Sequence, residues 1–579
     1  MALDLTSGEK DWGLMEFFFN DEEIKSIRKK IQELEIKHVV FCSFESRFAR
    51  SGGLAAVTTK ILSYLNEIKQ VQQVLLMTPF YPHIIDKTKL IPTGITFKVM
   101  YDNKSIKVEL LMYTSPALSS DRGEVEEYYL KADGFFESKN KIDDPYGYFP
   151  DNLQQNDAAI CYNALFFCKA VPLAAQALGL RQDMVFHLQE WQTALIALTA
   201  KEAMLDGTLF SCGTIQTLHN SFDSWISAEM LAKLTGNQRI HKHPGFRDQG
   251  GLTALQMGLQ LVDAPITTVS DHFAEELTTD LLQSGHFAPH LQEIFRKNRV
   301  YGVNNGIFID FPPEYSQKPN YTVREIKKIK KEKRKKLLKI LDTYHPGERF
   351  GQLTYKSKSI TQLPDKIPIL AMSGRLDPFQ KGFDILLQAV EKFQEDEIKV
   401  VLTPMPVKTS DLDYFHEAAG KCRGNITIFP IRMQKGYHEL QMGSTFNIMP
   451  SIYEPFGAAI EYMVSGSVTI ARKTGGLKDQ VRHKVCGFLF REKPEFYTME
   501  NIKAFSQSGD TVQLRKYNQW AASMANELYE VLKEAVDLYQ NHQNDYYRLI
   551  LEGFNQARTF TWKKTAEKYF KLYEKIKSV

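Results

Sequence analysis

Short apolar runs alternate with helix-length amphipathic stretches along most of this chain, and few folds accommodate that rhythm. The runs fall at residues 38–42, 74–77, 184–187, 213–218, 266–269, 369–372, 399–402, 426–429, 446–449 and 468–471. Each is four to six residues long and mostly apolar on both faces, as a parallel strand covered by helices must be. Residues 54–65, 158–177 and 383–393 carry a helical pattern between such runs. The alternation predicts doubly wound α/β units. Two series of units are visible, separated by 312–366, which is poor in strand signals and rich in charge.

That spacer contains the basic run 327–336, with Ile326, Ile329, Leu337, Leu338 and Leu341 recurring beside the lysines. The pattern predicts a helix with a solvated basic face. Binding of a polyanion or an acidic partner is the alternative. The segment 1–37 is amphipathic without recognisable chemistry, and 497–508 reads as an elaboration of the second series.

Composition narrows the function classes. With 43% hydrophobic and 24% charged residues the chain is neither mainly disordered nor fibrous. Its 72 basic and 69 acidic residues give a net charge of +3, so there is no general pull toward nucleic acid or anionic membrane. Cys42, Cys161, Cys168, Cys212, Cys422 and Cys486 form no C-x-x-C pair and read as small buried apolar residues. Residues 1–10 lack the pattern of a signal peptide. The apolar stretch 164–180 is interrupted by Lys169 and Pro172; it reads as a core helix too short and too broken to span a bilayer. A cytoplasmic location is the expectation.

Five patches carry candidate chemistry. Glu45 to Leu54 follows the first strand and holds Arg50, Gly52 and Gly53. Such a turn opening a helix can cradle an anion, or be a plain tight turn. His187 to Thr193, with Glu190, and Thr217 to Asn220, with His219, follow two further strands. Ligands in open α/β sheets collect at those strand ends, although a lone histidine there is more often structural. Ser373 to Asp384 places Arg375 and Lys381 around a turn, an arrangement suited to a diphosphate. Pro450 to Gly457, with Ser451 and Glu454, and Arg472 to Asp479, with Thr474, Gly475 and Gly476, form the fifth. A D-x-D at Asp411-Leu412-Asp413 lacks strand context and reads as a helix start.

Taken in order, these patches resemble the glycogen and starch synthase family of retaining glucosyltransferases. The family's K-x-G-G-L is similar to Arg50-Ser51-Gly52-Gly53-Leu54, its H-x-H-[DE]-W to His187-Leu188-Gln189-Glu190-Trp191, and its I-H-N to Leu218-His219-Asn220. T-V-S matches Thr268-Val269-Ser270, and N-G-I matches Asn305-Gly306-Ile307. The R-L-(x)-Q-K-G pattern is met by Arg375-Leu376 and Gln380-Lys381-Gly382. P-S-x-x-E-P-x-G is intact from Pro450 to Gly457, and T-G-G-L-x-D from Thr474 to Asp479. Departures are Arg50 for the family lysine, Gln189 for the second histidine, and a long central spacer. They bear on donor preference and acceptor more than on reaction type.

The resemblance implies an α/β fold of the GT-B class: two Rossmann-like doubly wound lobes with a cleft between them. The implied plan has an N-terminal extension (1–37), an acceptor-side lobe (38–311), the spacer (312–366), a donor-side lobe (367–544), and a C-terminal helix (545–579) crossing back to the first lobe. It implies transfer of glucose from ADP-glucose or UDP-glucose to the non-reducing end of an α-1,4-glucan. The catalytic positions carried over are His219, Arg375, Lys381, Glu454 and Glu190. Glu45, Arg50, Gly52, Gly53, Asn305, Ser451, Gly457, Thr474, Gly475 and Gly476 are carried over as donor or substrate contacts. No metal or other cofactor is expected, and no nucleic acid or membrane span. The competing expectations are a GT-B enzyme that modifies a protein or another glycan, and a catalytically silent glucan-binding relative.

Overall fold

The computed structural model describes residues 14–138, 144–149, 152–236, 239–344, 363–377, 379–405, 417, 421–422, 425–428, 433, 436–507, 515 and 517–578. The D-x-D at Asp411-Leu412-Asp413, Pro378, the ends 1–13 of the extension and 345–362 of the spacer, and Ser508 lie outside them. The chain forms two compact units. The first comprises Met1–Val269, Leu277–Phe308 and Trp562–Val579; the second comprises Ser270–Glu276 and Ile309–Thr561.

The first unit is built on a nine-stranded sheet ordered β11-β10-β7-β6-β1-β2-β5-β4-β3. Its strands are β1 (His38–Cys42), β2 (Gln73–Pro79), β3 (Ile91–Tyr101), β4 (Lys104–Ser115), β5 (Val125–Ala132), β6 (Met184–Gln189), β7 (Cys212–Leu218), β10 (Ile266–Thr268) and β11 (Val300–Gly302). A separate two-stranded ribbon joins β8 (Trp225–Ser227) and β9 (Gly251–Thr253). Pairing is parallel from β11 to β5 and antiparallel for β4 with β5 and β3. The chain runs from β1 to β2 on one side and later returns to β6 on the other, so the topology switches between β1 and β6.

Pro172 does not break its helix, which runs unbroken as Leu153–Ala177. Proline cannot donate to the carbonyl four residues earlier, Cys168 O. The Thr199 hydroxyl donates to that carbonyl instead, at 2.7 Å. The helix is therefore longer than the interrupted sequence suggests, and by length and composition alone it could cross a membrane. Thirteen of its residues, from Ile160 to Ala175, are buried in the protein. All six cysteines are buried and free.

The chain re-enters the first unit at Trp562, whereas helix Gln543–Ala557 stays in the second. Helix Trp562–Tyr573 is tied to the sheet by buried polar groups. His187 Nδ1 lies 2.8 Å from Tyr573 Oη, and its Nε2 lies 2.7 Å from Thr217 Oγ1. Burial holds the His187 pKa down at about 3, so this histidine is a neutral structural bridge.

The second unit carries a six-stranded, wholly parallel sheet ordered β14-β13-β12-β15-β16-β17. Its strands are β12 (Ile369–Arg375), β13 (Lys399–Met405), β14 (Ile426–Ile428), β15 (Phe446–Met449), β16 (Val468–Arg472) and β17 (Gly487–Phe490). Here the switch lies between β12 and β15. The basic run forms helix Val323–Thr343, opened by a capping box between Thr322 and Glu325. Ile326, Leu337 and Leu341 are buried as their spacing requires, but so are Lys330 and Arg334. The 3.6-residue period puts these two on the inward face, which corrects the expectation that the basic residues are all solvated.

Candidate active site

In each unit the candidate residues lie at the carboxyl ends of the parallel strands, on or near those that flank the topological switch. Loops after β1 and β6 carry Glu45 and Glu190, and the neighbouring β7 leads into His219. In the second unit, loops after β12 and β15 carry Lys381 and Glu454. Parallel strands splay their following loops apart at a switch, which leaves a crevice there.

Glu190 sits at φ +62°, a backbone conformation that an L side chain rarely adopts. Its N–H donates to Thr217 O at 3.0 Å, and its carbonyl accepts from Gln216 Nε2 at 3.0 Å. Its carboxyl accepts the His219 N–H at 2.6 Å. Burial raises its pKa to about 8; amides of His219 and Asn220 pull the other way, and the nearby Glu45 adds to the rise. A strained backbone and a carboxyl kept neutral at pH 7 are both features of functional sites.

His219 Nε2 lies 2.8 Å from Gln189 Oε1, so in this arrangement Nε2 carries the proton. Burial depresses its pKa to about 4, and the ring is neutral. Gln189 stands at the second histidine of the family motif and fixes the catalytic candidate's ring. Asn305 is buried in the same unit, and its Oδ1 has no hydrogen-bond partner.

The first Gly-Gly turn is already filled. Glu45 Oε2 accepts the N–H groups of Ser51 at 3.1 Å and Gly52 at 2.8 Å. Burial raises the Glu45 pKa, opposed by those amides. Gly53 caps helix Leu54–Asn66. Arg50 is exposed, its Nε donating to Arg47 O at 2.9 Å. Thus the sequence places an anion cradle here, and the fold places a carboxylate in it.

In the second unit, Lys381 Nζ lies 2.8 Å from Glu454 Oε2, which also accepts from Ser451 Oγ at 3.0 Å. Glu454 and Ser451 are buried and Lys381 is half-buried. Arg375, at the end of β12, is exposed and has no ion-pair partner among the described residues. Gly382 holds φ +68°, and a Cβ there would lie 2.2 Å from Pro450 O. Gly382→Ala should therefore cost roughly 1–3 kcal/mol in urea unfolding and displace Lys381.

Loop 450–457 is bound to the end of β16 and to the helix Gly475–Gln480 that follows it. Gly476 N–H donates to Glu454 O at 2.9 Å, and Gln480 Nε2 to Phe456 O at 2.8 Å and Gly457 O at 3.1 Å. Buried Arg472 donates to Ile452 O and pairs with Glu492. Gly475 N–H donates to Glu276 Oε1 at 2.7 Å, and Thr474 Oγ1 lies 3.3 Å from that carboxylate. Both residues were expected to face a ligand, and Glu276 holds their donors here. No local pattern marks Glu276 in the sequence, since a Glu275-Glu276 pair on a helix reads as surface.

Family comparison follows the same division. The family model for the starch synthase catalytic domain matches residues 38–296, and that for glycosyl transferases group 1 matches 355–519. The chain thus carries a starch synthase catalytic domain followed by a glycosyl transferases group 1 domain. The chain is 25% identical to a glycogen synthase of Alkaliphilus metalliredigens, over 93% of its own length and 99% of the relative's. It is 26% identical to one of Geotalea daltonii, over 91% and 96%. Among solved structures, the catalytic domain of starch synthase IV from Arabidopsis thaliana aligns with a TM-score of 0.69 at 18% identity. That alignment covers 94% of this chain and all of that one, and it supports the GT-B fold. On these domain matches the protein is a glycosyltransferase.

Proposed function

We propose that the protein transfers glucose from ADP-glucose or UDP-glucose to the non-reducing end of an α-1,4-glucan, with retention at the anomeric carbon. The observation that carries this reading is the placement of Lys381, Glu454, Glu190 and His219 at the two switch points, in the order of the family motifs.

In this reading Arg375 and Lys381 take the departing diphosphate. Fixed cations stabilise charge as it develops on the leaving group, which lowers the barrier directly. Ser451 orients the Glu454 carboxylate, which restrains Lys381 and accepts from sugar hydroxyls. Neutral His219 and the unpartnered Asn305 Oδ1 hold the sugar, and protonated Glu190 can donate to a hydroxyl without adding negative charge. Gly457, Thr474, Gly475 and Gly476 shape the loops on the donor side. Glu45, Arg50, Gly52 and Gly53 do so on the acceptor side. The leaving phosphate takes the acceptor proton, and the scheme requires no metal.

Glycogen incubated with labelled ADP-glucose or UDP-glucose should gain α-linked glucose. Folded protein that adds label to glycogen from neither donor would overturn the proposal. Within it, Arg375→Ala should raise the donor KM about tenfold or more, the cost of one lost charge-assisted contact.

A further inference from the structure

The second unit holds a cationic pocket beside the spacer helix, near the amino ends of β12 and β15 rather than the carboxyl ends that carry Lys381 and Glu454. Four residues of one face of helix Val323–Thr343 line it: Lys327, Lys330, Lys331 and Arg334. Tyr539, Tyr546 and Tyr547 form the facing wall. Lys327 and Lys331 are exposed at the rim, whereas Lys330 and Arg334 are each only 5% exposed.

The buried cations are incompletely compensated. Lys330 Nζ donates to two carbonyls, Met442 O at 2.6 Å and Ser444 O at 2.7 Å. Arg334 Nη2 donates to Pro364 O at 2.9 Å and Ile367 O at 2.7 Å. Its Nε and Nη1 have no hydrogen-bond partner. Asp365 is the one carboxylate among the described lining residues, 3.1 Å from Lys331 Nζ and 4.0 Å from Arg334 Nε. Four basic side chains therefore face one exposed acid. Burying like charges side by side is costly unless an anion joins them. Burial and the neighbouring Arg334 push the Lys330 pKa down to about 7.

We propose that this pocket binds a phosphate group, separate from the residues proposed for the donor diphosphate. Arg334 offers Nε–H and Nη1–H, two unpartnered charge-assisted donors on one buried guanidinium. Lys330 has one N–H left after its two carbonyls. Lys327 and Lys331 close the rim. A cavity of about 80 Å³ suits a single tetrahedral oxyanion. It falls well below the roughly 300 Å³ or more of small-molecule sites, so a nucleotide does not fit inside. The phosphate can be free, or the phosphoryl end of a molecule whose remainder stays in solvent.

The test is thermal unfolding of the full chain with inorganic phosphate, with a hexose monophosphate, and with chloride at matched ionic strength. Ligand that binds the native state alone raises Tm with a saturable dependence. At ten times Kd the rise should be about 1–3 °C for wild type and for Lys381→Ala alike. The Lys327→Gln/Lys331→Gln variant keeps the buried bonds of Lys330 and Arg334, and its apparent Kd for phosphate should be at least about tenfold weaker. Tighter binding of the hexose monophosphate than of inorganic phosphate identifies a phosphorylated metabolite as the source, and the reverse identifies free phosphate. A wild-type shift no larger than that of chloride overturns the proposal. So does an unchanged Kd in the double variant, or a shift that disappears in Lys381→Ala. None of these readouts depends on the glucosyl-transfer reading.

Discussion

Lys381→Ala should lower kcat by about 100- to 1,000-fold while leaving a folded protein, the loss expected when a preorganised charge at a developing anion is removed. The ammonium is already positioned before substrate arrives, 2.8 Å from Glu454 and held through a turn that Gly382 alone permits. Little reorganisation remains for the moment of reaction, which is where electrostatic catalysis gains its advantage over water. Lys381→Arg should recover part of the charge effect without the geometry, because guanidinium is planar and longer than ammonium. Circular dichroism and gel filtration establish folding, and single-turnover kinetics separate chemistry from donor binding. Turnover of the alanine variant within threefold of wild type would remove Lys381 from the mechanism.

Glu190→Gln should change how stability depends on pH. The carboxyl has a pKa of about 8 in the fold and close to 4.5 in the unfolded chain. Below pH 4.5 both states are protonated and Glu190 contributes no pH dependence. Between pH 4.5 and 8 the folded state retains a proton that the unfolded state has released, so stability falls as pH rises. Above pH 8 the folded carboxylate is ionised and buried, and the full penalty, on the order of a few kcal/mol, is present. Glutamine has no proton to lose. The variant should therefore match wild type near pH 4.5 and exceed it progressively up to pH 8–9 in denaturant titrations. Parallel curves for the two proteins across that range would show that Glu190 is ionised in the fold at neutral pH. The same substitution keeps the acceptor for His219 N–H, so lost activity would report on the acid itself.

Much of this plan is legible in the sequence. The ten apolar runs are all strands, because a parallel strand covered on both faces has no polar side to interrupt it. The antiparallel strands β3, β4 and β5 were not foreseen. Exposed positions alternate with covered ones along β3, as at Lys98 and Met100, and Pro92 lies inside it, so no continuous apolar run marks it. The short strands β11 and β17 carry too few residues for a period to emerge.

The site divides along the same line. Glu45, Glu190, His219, Lys381 and Glu454 were found because their chemistry sits beside turns, and turns after buried strands are local features. What those groups do in the fold is set by neighbours far away in sequence. Glu276 takes the Gly475 N–H from 199 residues away, and Glu190 accepts from His219 across two strands. Sequence by itself determined the α/β rhythm, the family resemblance and the identities of the candidate residues, since periodicity and motif order are properties of the chain. Tertiary structure decided which carboxyls stay protonated, which glycine amides are already occupied, and that Lys330 and Arg334 of a basic run face inward. Those outcomes depend on desolvation and on partners brought together only by folding.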